Sequence, residues 1–519
     1  MMAKKSSVSI KYQKFSQRTQ LKLFCIDLVL ILFSWGGFYR CMFGHSDALF
    51  DVINPEASKG SRIGCFRWAG YIVDMFAWKR LHFLASEHYK LSLFLMLLFM
   101  AVSLWIIQLM FFPLFRNKVQ NSAGTIIYIA STALIFINVL NSELFYYTES
   151  FSIFKFSLLF CSLGCLLFTK KKYISAVICF VIMTCFYQVC CALAAILLAF
   201  WLFLKHDGKM SKSLFFQEAA AISAPMLSGV INYLTGPAVI RLLYRFGMFY
   251  SPKKSIGNHN LFEVIVRWMH LLWEIFQSNM NLTLNLYLPL FLTAGTILLM
   301  ALVFFTQCEQ GKFGTLLLVV AVCFLIFSAI PIASGGDISP RTVFPFYAIE
   351  SGLLLTTLYF FTDSGTKQQS TPFYVKLKGL ICVGAGLFLL IQVFFIQNII
   401  SNRLLSNTLD LIYARNVLNM VAEYEAETGN KVQYICSAPD ANSSQYYEEV
   451  YYKRDSVNER LYGISAYSLL EFISRPDRHF EKKEMDPEIC KELFQENDWD
   501  GFDKEQVVIR DDTVYICVF

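Results

Sequence analysis

Apolar residues in this chain neither alternate nor keep to one helical stripe; they run on in long blocks bounded by charges. A helix crosses a bilayer core with roughly 20 such residues. About eleven blocks qualify, at residues 21–39, 91–112, 125–141, 151–169, 174–186, 189–204, 218–240, 284–306, 314–333, 342–361 and 379–398. The pattern predicts a polytopic α-helical membrane protein. The fifth and sixth blocks are short, and could instead form one bent hairpin of half-penetrating segments.

Past residue 400 the pattern changes to short polar-punctuated pieces. A helix from about Leu404 is expected to end near Gly429, where glycine suits a C-cap. A strand at Val432 to Cys436 and a terminal hairpin over Gln506 to Phe519, turning at Asp511 and Asp512, complete a small α/β domain. The expected organisation is a polar segment over 1–20, a transmembrane domain over 21–400 and this domain over 401–519. Four irregular stretches interrupt the spans on one side, at residues 40–90, 142–150, 241–283 and 334–341. In the third, Glu263, Arg267, His270 and Glu274 fall at steps of four, three and four on an apolar background, the single polar stripe of a surface helix.

Charge gives the direction. Cytoplasmic loops are enriched in Lys and Arg. Lys4, Lys5, Lys11, Lys14 and Arg18 precede the first span without an acid, and alternate loops carry Arg116 and Lys118, Lys170 to Lys172, Lys205, Lys209 and Lys212, Lys312, and Lys367, Lys376 and Lys378. The N-terminus is therefore expected in the cytoplasm, with a retained first helix. An odd number of crossings then delivers the C-terminal domain to the outer face. The formal net charge of +6 conceals a division: residues 401–519 hold 23 acidic and 13 basic side chains, and residues 1–400 hold 16 and 32. With 56% hydrophobic residues, 16% charged and 50 Phe, the composition excludes a disordered, collagenous or disulfide-stapled small protein.

Ten of the 15 cysteines lie in or beside spans, where a thiol behaves as a small hydrophobe. Cys41 and Cys65 share the first outer stretch and could be bridged in an oxidising exterior, whereas Cys436, Cys490 and Cys517 leave an odd count in the C-terminal domain. CxxC, HExxH, Walker and strand-borne GxGxxG motifs are absent, so a metal cage, an ATPase engine and a cytosolic nucleotide-sugar domain have no support. Nucleic acid is not an expected partner, and no cofactor is implied.

Ionisable groups near membrane depth are costly and tend to mark function. Asp47 and Asp51 follow the first span, Glu143 and Glu149 the third. Tyr187 and Gln188 occupy the tip between the fifth and sixth, and Arg341 opens the tenth after Gly335, Gly336 and Asp337. For any one of them, an interfacial rim where acids and tyrosines meet water is the simpler explanation. As a set they supply what sugar transfer from a lipid phosphate needs: a carboxylate to take the proton of an acceptor hydroxyl and guanidinium groups to hold the departing phosphate. Arg40, Arg62, Arg67, Arg241, Arg245, Lys253, Lys254 and Arg341 are basic on the outer side, most of them explicable by snorkelling to headgroups.

Gly44-His45-Ser46-Asp47-Ala48-Leu49, Arg62-Ile63-Gly64-Cys65-Phe66-Arg67-Trp68, Asn141 to Glu149, Phe186-Tyr187-Gln188 and Ser339-Pro340-Arg341 occur in an order and on a side that resemble the membrane glucosyltransferase family of bacterial and phage serotype-converting enzymes, within the broad GT-C class. The likeness in layout covers nearly the whole chain; the motifs are short, and Phe66 stands before Arg67 where the family has glycine. The resemblance implies a GT-C-like fold and a donor such as undecaprenyl-phosphate glucose, with the hexose moved to a cell-surface polysaccharide. It implies Asp47 as the base, Glu143 and Glu149 as further catalytic or hydroxyl-binding acids, and Arg341 and Arg67 as the donor-phosphate clamp. Tyr187, Gln188 and Asp51 would line the sugar pocket. Three other classes compete: a flippase or transporter of lipid-linked sugars, for which Asp27 inside the first span would be a polar contact, a polysaccharide polymerase or ligase, and a non-catalytic scaffold whose C-terminal domain is the working part.

Overall fold

A computed structural model describes residues 17–41, 46–55, 58, 66–116, 122–209, 212–245, 260–284, 286–306, 309–333, 339–361, 372–439, 461–475, 477–494, 499 and 503–518. Helices α1 (Gln17–Trp35), α2 (Ser46–Ile53), α3 (Trp68–Leu81), α4 (Tyr89–Phe115) and α5 (Ser122–Ala133) lead into a 3-10 helix, Val139–Phe145. Helices α6 (Phe151–Thr169), α7 (Tyr173–Phe186), α8 (Cys190–Lys205), α9 (Lys212–Arg245) and α10 (Leu261–Ser278) follow. Then come α11 (Leu288–Thr306), α12 (Gln310–Ala333), the single turn α13 (Pro340–Val343), α14 (Phe346–Phe361) and α15 (Pro372–Thr428). The C-terminal domain adds β1 (Tyr434–Pro439), α16 (Leu461–Ser474), β2 (Glu481–Lys482), α17 (Pro487–Phe494), β3 (Val507–Arg510) and β4 (Thr513–Val518).

Each of the apolar blocks overlaps a helix. Among the described residues, eight helical stretches are long and apolar enough to cross a membrane, and three shorter apolar ones, over Ala123–Ala133, Tyr173–Phe186 and Cys190–Lys205, accompany them. The protein is thus a membrane-embedded helical bundle with a small sheet domain. Its centre is α8, buried from Cys190 to Leu204, against α14, buried along nearly all its length. The two approach so closely at Gly352 that a Cβ there would lie 2.2 Å from the Phe200 ring. The peripheral helices turn apolar side chains outward, such as Leu234, Phe291, Leu325 and Leu390. In a membrane those faces meet lipid, which is as apolar as the side chains themselves.

Three expectations are corrected. The third block is not helical to residue 141: α5 stops at Ala133 and the chain unwinds inside the bundle. Unwinding frees backbone carbonyls, and buried groups must be hydrogen-bonded. Asn138 Nδ2 donates to the carbonyls of Leu134 and Ile135, Asn141 Nδ2 to those of Ile135 and Phe136, and Trp35 Nε1 to Phe136. The last span and the helix expected from Leu404 are one continuous helix of 57 residues, α15, ending at Thr428 before Gly429 in the left-handed conformation. The stretch over residues 40–90 is not irregular throughout: it carries the helices α2 and α3. Lys312 is 7% exposed and pairs with Asp207 at 3.0 Å and Glu309 at 2.8 Å.

The C-terminal sheet has the order β2-β1-β4-β3, with β1 parallel to both neighbours and β3-β4 the expected hairpin, turning at Asp511 and Asp512. Its core gathers Val432, Ile435, Val514 and Ile516 with Ala466, Leu469 and Leu470 of α16 and Ala414, Val417 and Val421 of α15. Leu49 of α2, far away in sequence, belongs to the same core.

Candidate functional site

The expected site residues gather at the end of the bundle that carries the C-terminal domain. Ser339 caps α13 in a capping box with Thr342, and Pro340 takes the first helical position, where its missing N–H costs nothing. That fixes Arg341 at a helix N-terminus, where backbone N–H groups lack intrahelical partners. Glu143, 1% exposed on the 3-10 helix, accepts from the Arg341 backbone N–H and from its Nη1, each at 2.8 Å. The guanidinium also lies 3.9 Å from the Tyr147 ring centroid, a cation–π contact, and keeps 25% exposure.

Tyr187, at the tip between α7 and α8, donates its hydroxyl to the Arg341 carbonyl at 2.9 Å, and its ring lies 4.9 Å from the Arg67 guanidinium carbon. Burial pushes the Tyr187 phenol up from its ordinary range, outweighing the two guanidinium groups, so the phenol stays protonated and donates. Burial likewise raises Tyr147, with Arg341 opposing and Glu143 and Asp47 adding to the rise. Asp47 therefore stands within electrostatic reach of the ring on which Arg341 rests. Its own side chain is exposed, in the first turn of α2.

Gln188 faces elsewhere: its Nε2 donates to the Phe66 carbonyl at 3.3 Å, as does Asn232 Nδ2 at 3.1 Å. Phe66 has φ 57°, the left-handed conformation that glycine adopts without cost. The backbone here has the glycine-like shape although the side chain is Phe, and the turn it makes leads directly into Arg67.

Asp51 and Glu149 line a cavity of about 50 Å³ next to this cluster, together with Asp74, Ser152 and Lys155. Asp51, 1% exposed, accepts from Ser86 Oγ at 3.3 Å, and Glu149, 6% exposed, from Ser150 Oγ at 2.9 Å. Asp74 and Lys155 escaped the sequence reading. Their signal was present: Asp74 is the one acid in Trp68–Leu81, and Lys155 the one charge in Phe151–Thr169. Among the described residues no group of three His, Cys, Asp or Glu side chains is arranged to hold a metal ion.

Deeper in the bundle, Asp27 accepts from Gln108 Nε2 at 2.9 Å, which also donates to Thr132 at 3.0 Å. Glu350, absent from the sequence reading, is fully buried and accepts from Thr293. Helix α10 has Asn260 as N-cap and an exposed polar stripe of Glu263, Arg267 and His270 with Glu274 half-buried; Val264, Trp268 and Ile275 are buried, and Phe262, Met269 and Trp273 are exposed. Cys41 is buried, and Cys65, its candidate partner, lies outside the described residues, as do Gly44, His45, Arg62, Lys253, Lys254 and Gly335 to Asp337.

No family model, curated protein or solved structure matches the chain.

Proposed function

We propose that this protein is a membrane glycosyltransferase that moves a hexose from a polyprenyl-phosphate sugar to a surface polysaccharide at the outer face of the cytoplasmic membrane. On this reading the chain crosses the membrane eleven times, with its N-terminus in the cytoplasm and the C-terminal domain outside. The observation that carries it is the convergence of Arg341, Glu143, Tyr147, Tyr187 and Arg67 through direct contacts, beside the acids of α2 and Glu149.

Arg341 and Arg67 bracket Tyr187 and form the phosphate clamp. Glu143 is turned into the protein and grips Arg341 through both the side chain and the backbone, so it acts by orienting that guanidinium. Asp47, open to solvent, takes the proton of the acceptor hydroxyl. The acceptor oxygen then bonds to the anomeric carbon as the bond from that carbon to the phosphate oxygen breaks. The phosphate leaves on the polyprenol with its negative charge held between the guanidinium groups, where preorganised charge is most effective. Asp51, Glu149 and Lys155 face the hydroxyls of the sugar.

Purified protein in lipid, given polyprenyl-phosphate hexose labelled in the sugar and a polysaccharide acceptor, is expected to transfer label and release polyprenyl phosphate, and Asp47→Asn to abolish both. Full transfer by the Asn variant sinks the assignment of the base; no transfer by the wild type sinks the reading. Transport of a lipid-linked sugar is the second reading, favoured by Asp27 and Glu350, which are fully buried within apolar helices as the polar groups of carriers are. It predicts label moving across the bilayer with its lipid bond intact.

A further inference from the structure

We infer that the C-terminal domain is a positioning part of the site: it clamps α2, the helix carrying Asp47 and Asp51, and Arg475 is the residue that fixes the end of that helix. The inference rests on the proposed glycosyl transfer for its kinetic consequence, and on geometry alone for the clamp.

Helix α2 has eight residues, and helices shorter than about 12 residues are marginal in water without tertiary support. The support comes from the C-terminal domain. Leu49, 2% exposed, is part of the core formed by α16 and the sheet. Asp47 and Asp51 each stand two residues from Leu49, about 200° around the helix, and share a face because they are one turn apart. Seating Leu49 in the C-terminal core therefore turns both carboxylates away from it. Asp51 accordingly lines the cavity with Glu149, and Asp47 lies near Tyr147.

The end of α2 is held as well. Arg475, just after α16, donates from Nη1 to the Val52 carbonyl and from Nη2 to the Ile53 carbonyl at 3.4 Å. These are carbonyls of the last turn, which a helix leaves without internal partners and where a cation is favoured. Glu471, 1% exposed, backs the guanidinium with 3.9 Å between Oε1 and the Arg475 Nε, while its Oε2 accepts from the Phe480 N–H at 2.8 Å. A chain of contacts thus runs from buried Glu471 through the half-buried Arg475 to the end of the acid-bearing helix. The donor clamp of Arg341 and Arg67 sits on other elements.

The test uses full-length protein in lipid nanodiscs, comparing wild type with Arg475→Ala, Arg475→Lys and Leu49→Ala. Arg475→Ala is expected to lower kcat about tenfold or more, since a shift of an ångström in a reacting group costs up to about a hundredfold, with donor KM unchanged. Arg475→Lys restores part of kcat because an ammonium still caps carbonyls. Hydrogen exchange over residues 46–53 accelerates in Arg475→Ala and Leu49→Ala while that of α8 stays slow. Unchanged exchange over 46–53, unchanged kcat in an active enzyme, or a rise in donor KM that matches the fall in kcat overturns the inference. Accelerated exchange in a protein whose wild type transfers no sugar upholds the clamp and overturns the proposed function.

Discussion

At the scale of single residues, the site was legible wherever a charge interrupts an apolar run. Asp47, Glu143, Glu149 and Arg341 were visible for that reason, and Asp74, Lys155 and Glu350 obeyed the same rule unnoticed. What a local pattern could not give was partnership: that Glu143 grips Arg341 across 198 positions, or that Gln188 braces the Phe66 carbonyl. The Arg341 guanidinium combines an Nη1 hydrogen bond to Glu143 with a cation–π contact on Tyr147, and a lysine ammonium lacks the planar fork that meets both while keeping further donors for a phosphate. Arg341→Lys should raise the donor KM by about tenfold, the worth of one charge-assisted hydrogen bond, with acceptor KM unchanged; steady-state transfer assays varying each substrate check this. An effect confined to the acceptor would remove Arg341 from the phosphate clamp. Phe66 offers a second test, because a left-handed backbone costs an L-residue about 1–2 kcal/mol and a β-branched one more. Phe66→Gly should keep the fold and transfer, whereas Phe66→Val should lower the thermal unfolding midpoint and weaken donor binding through Arg67. Equal behaviour of the two variants would show that the ring contacts with Tyr233 and Gly236, rather than the backbone shape, matter there.

At the scale of elements, apolar run length was enough to find the long bundle helices, though not the short α2 and α3, since burial of a block of side chains dictates a helix wherever water cannot satisfy the backbone. It could not find where a helix stops inside an apolar run. Residues 134–141 read as membrane span, yet the chain unwinds there because two asparagines and Trp35 take over the freed carbonyls. That break is what lets the 3-10 helix present Glu143 sideways to α13. Replacing Asn138 by Leu should therefore leave the Leu134 carbonyl without its side-chain donor, at a cost of about 1–3 kcal/mol, while Ile135 keeps Asn141. The loss is read as a lower unfolding midpoint in detergent together with weaker donor binding. An unchanged midpoint would mean that the segment is held by packing alone. Close packing was equally illegible: nothing near Gly352 in sequence marks Phe200 as its neighbour, and Gly352→Leu is expected to destabilise the bundle by at least the 1–3 kcal/mol typical of overpacking.

At the scale of the whole molecule, the sequence division at residue 400 separates two compositions but not two mechanical bodies. Helix α15 runs unbroken from the bundle core at Ile396, Ile399 and Ile400 to the C-terminal core at Ala414, Val417 and Val421. With 57 residues it is about 85 Å long, far longer than a bilayer core, and no proline or glycine interrupts it beyond Gly386. Between the two cores, Arg403, Asn407 and Asp410 are buried, and the Arg403 guanidinium lies 5.2 Å from the Tyr146 ring. The C-terminal domain therefore has a fixed rotation about the bundle, and Leu49 meets its core only at that rotation. Two alanines inserted between Asp410 and Leu411 would keep the helix but turn everything beyond by about 200°, carrying Arg475 and the Leu49 socket away from α2. The expected result is a protein that still inserts and whose sheet domain still resists proteolysis, but which exchanges hydrogens rapidly over 46–53 and transfers no sugar. If the insertion variant stays fully active, α2 is held by the membrane bundle by itself, and the C-terminal domain has some task other than aiming its acids.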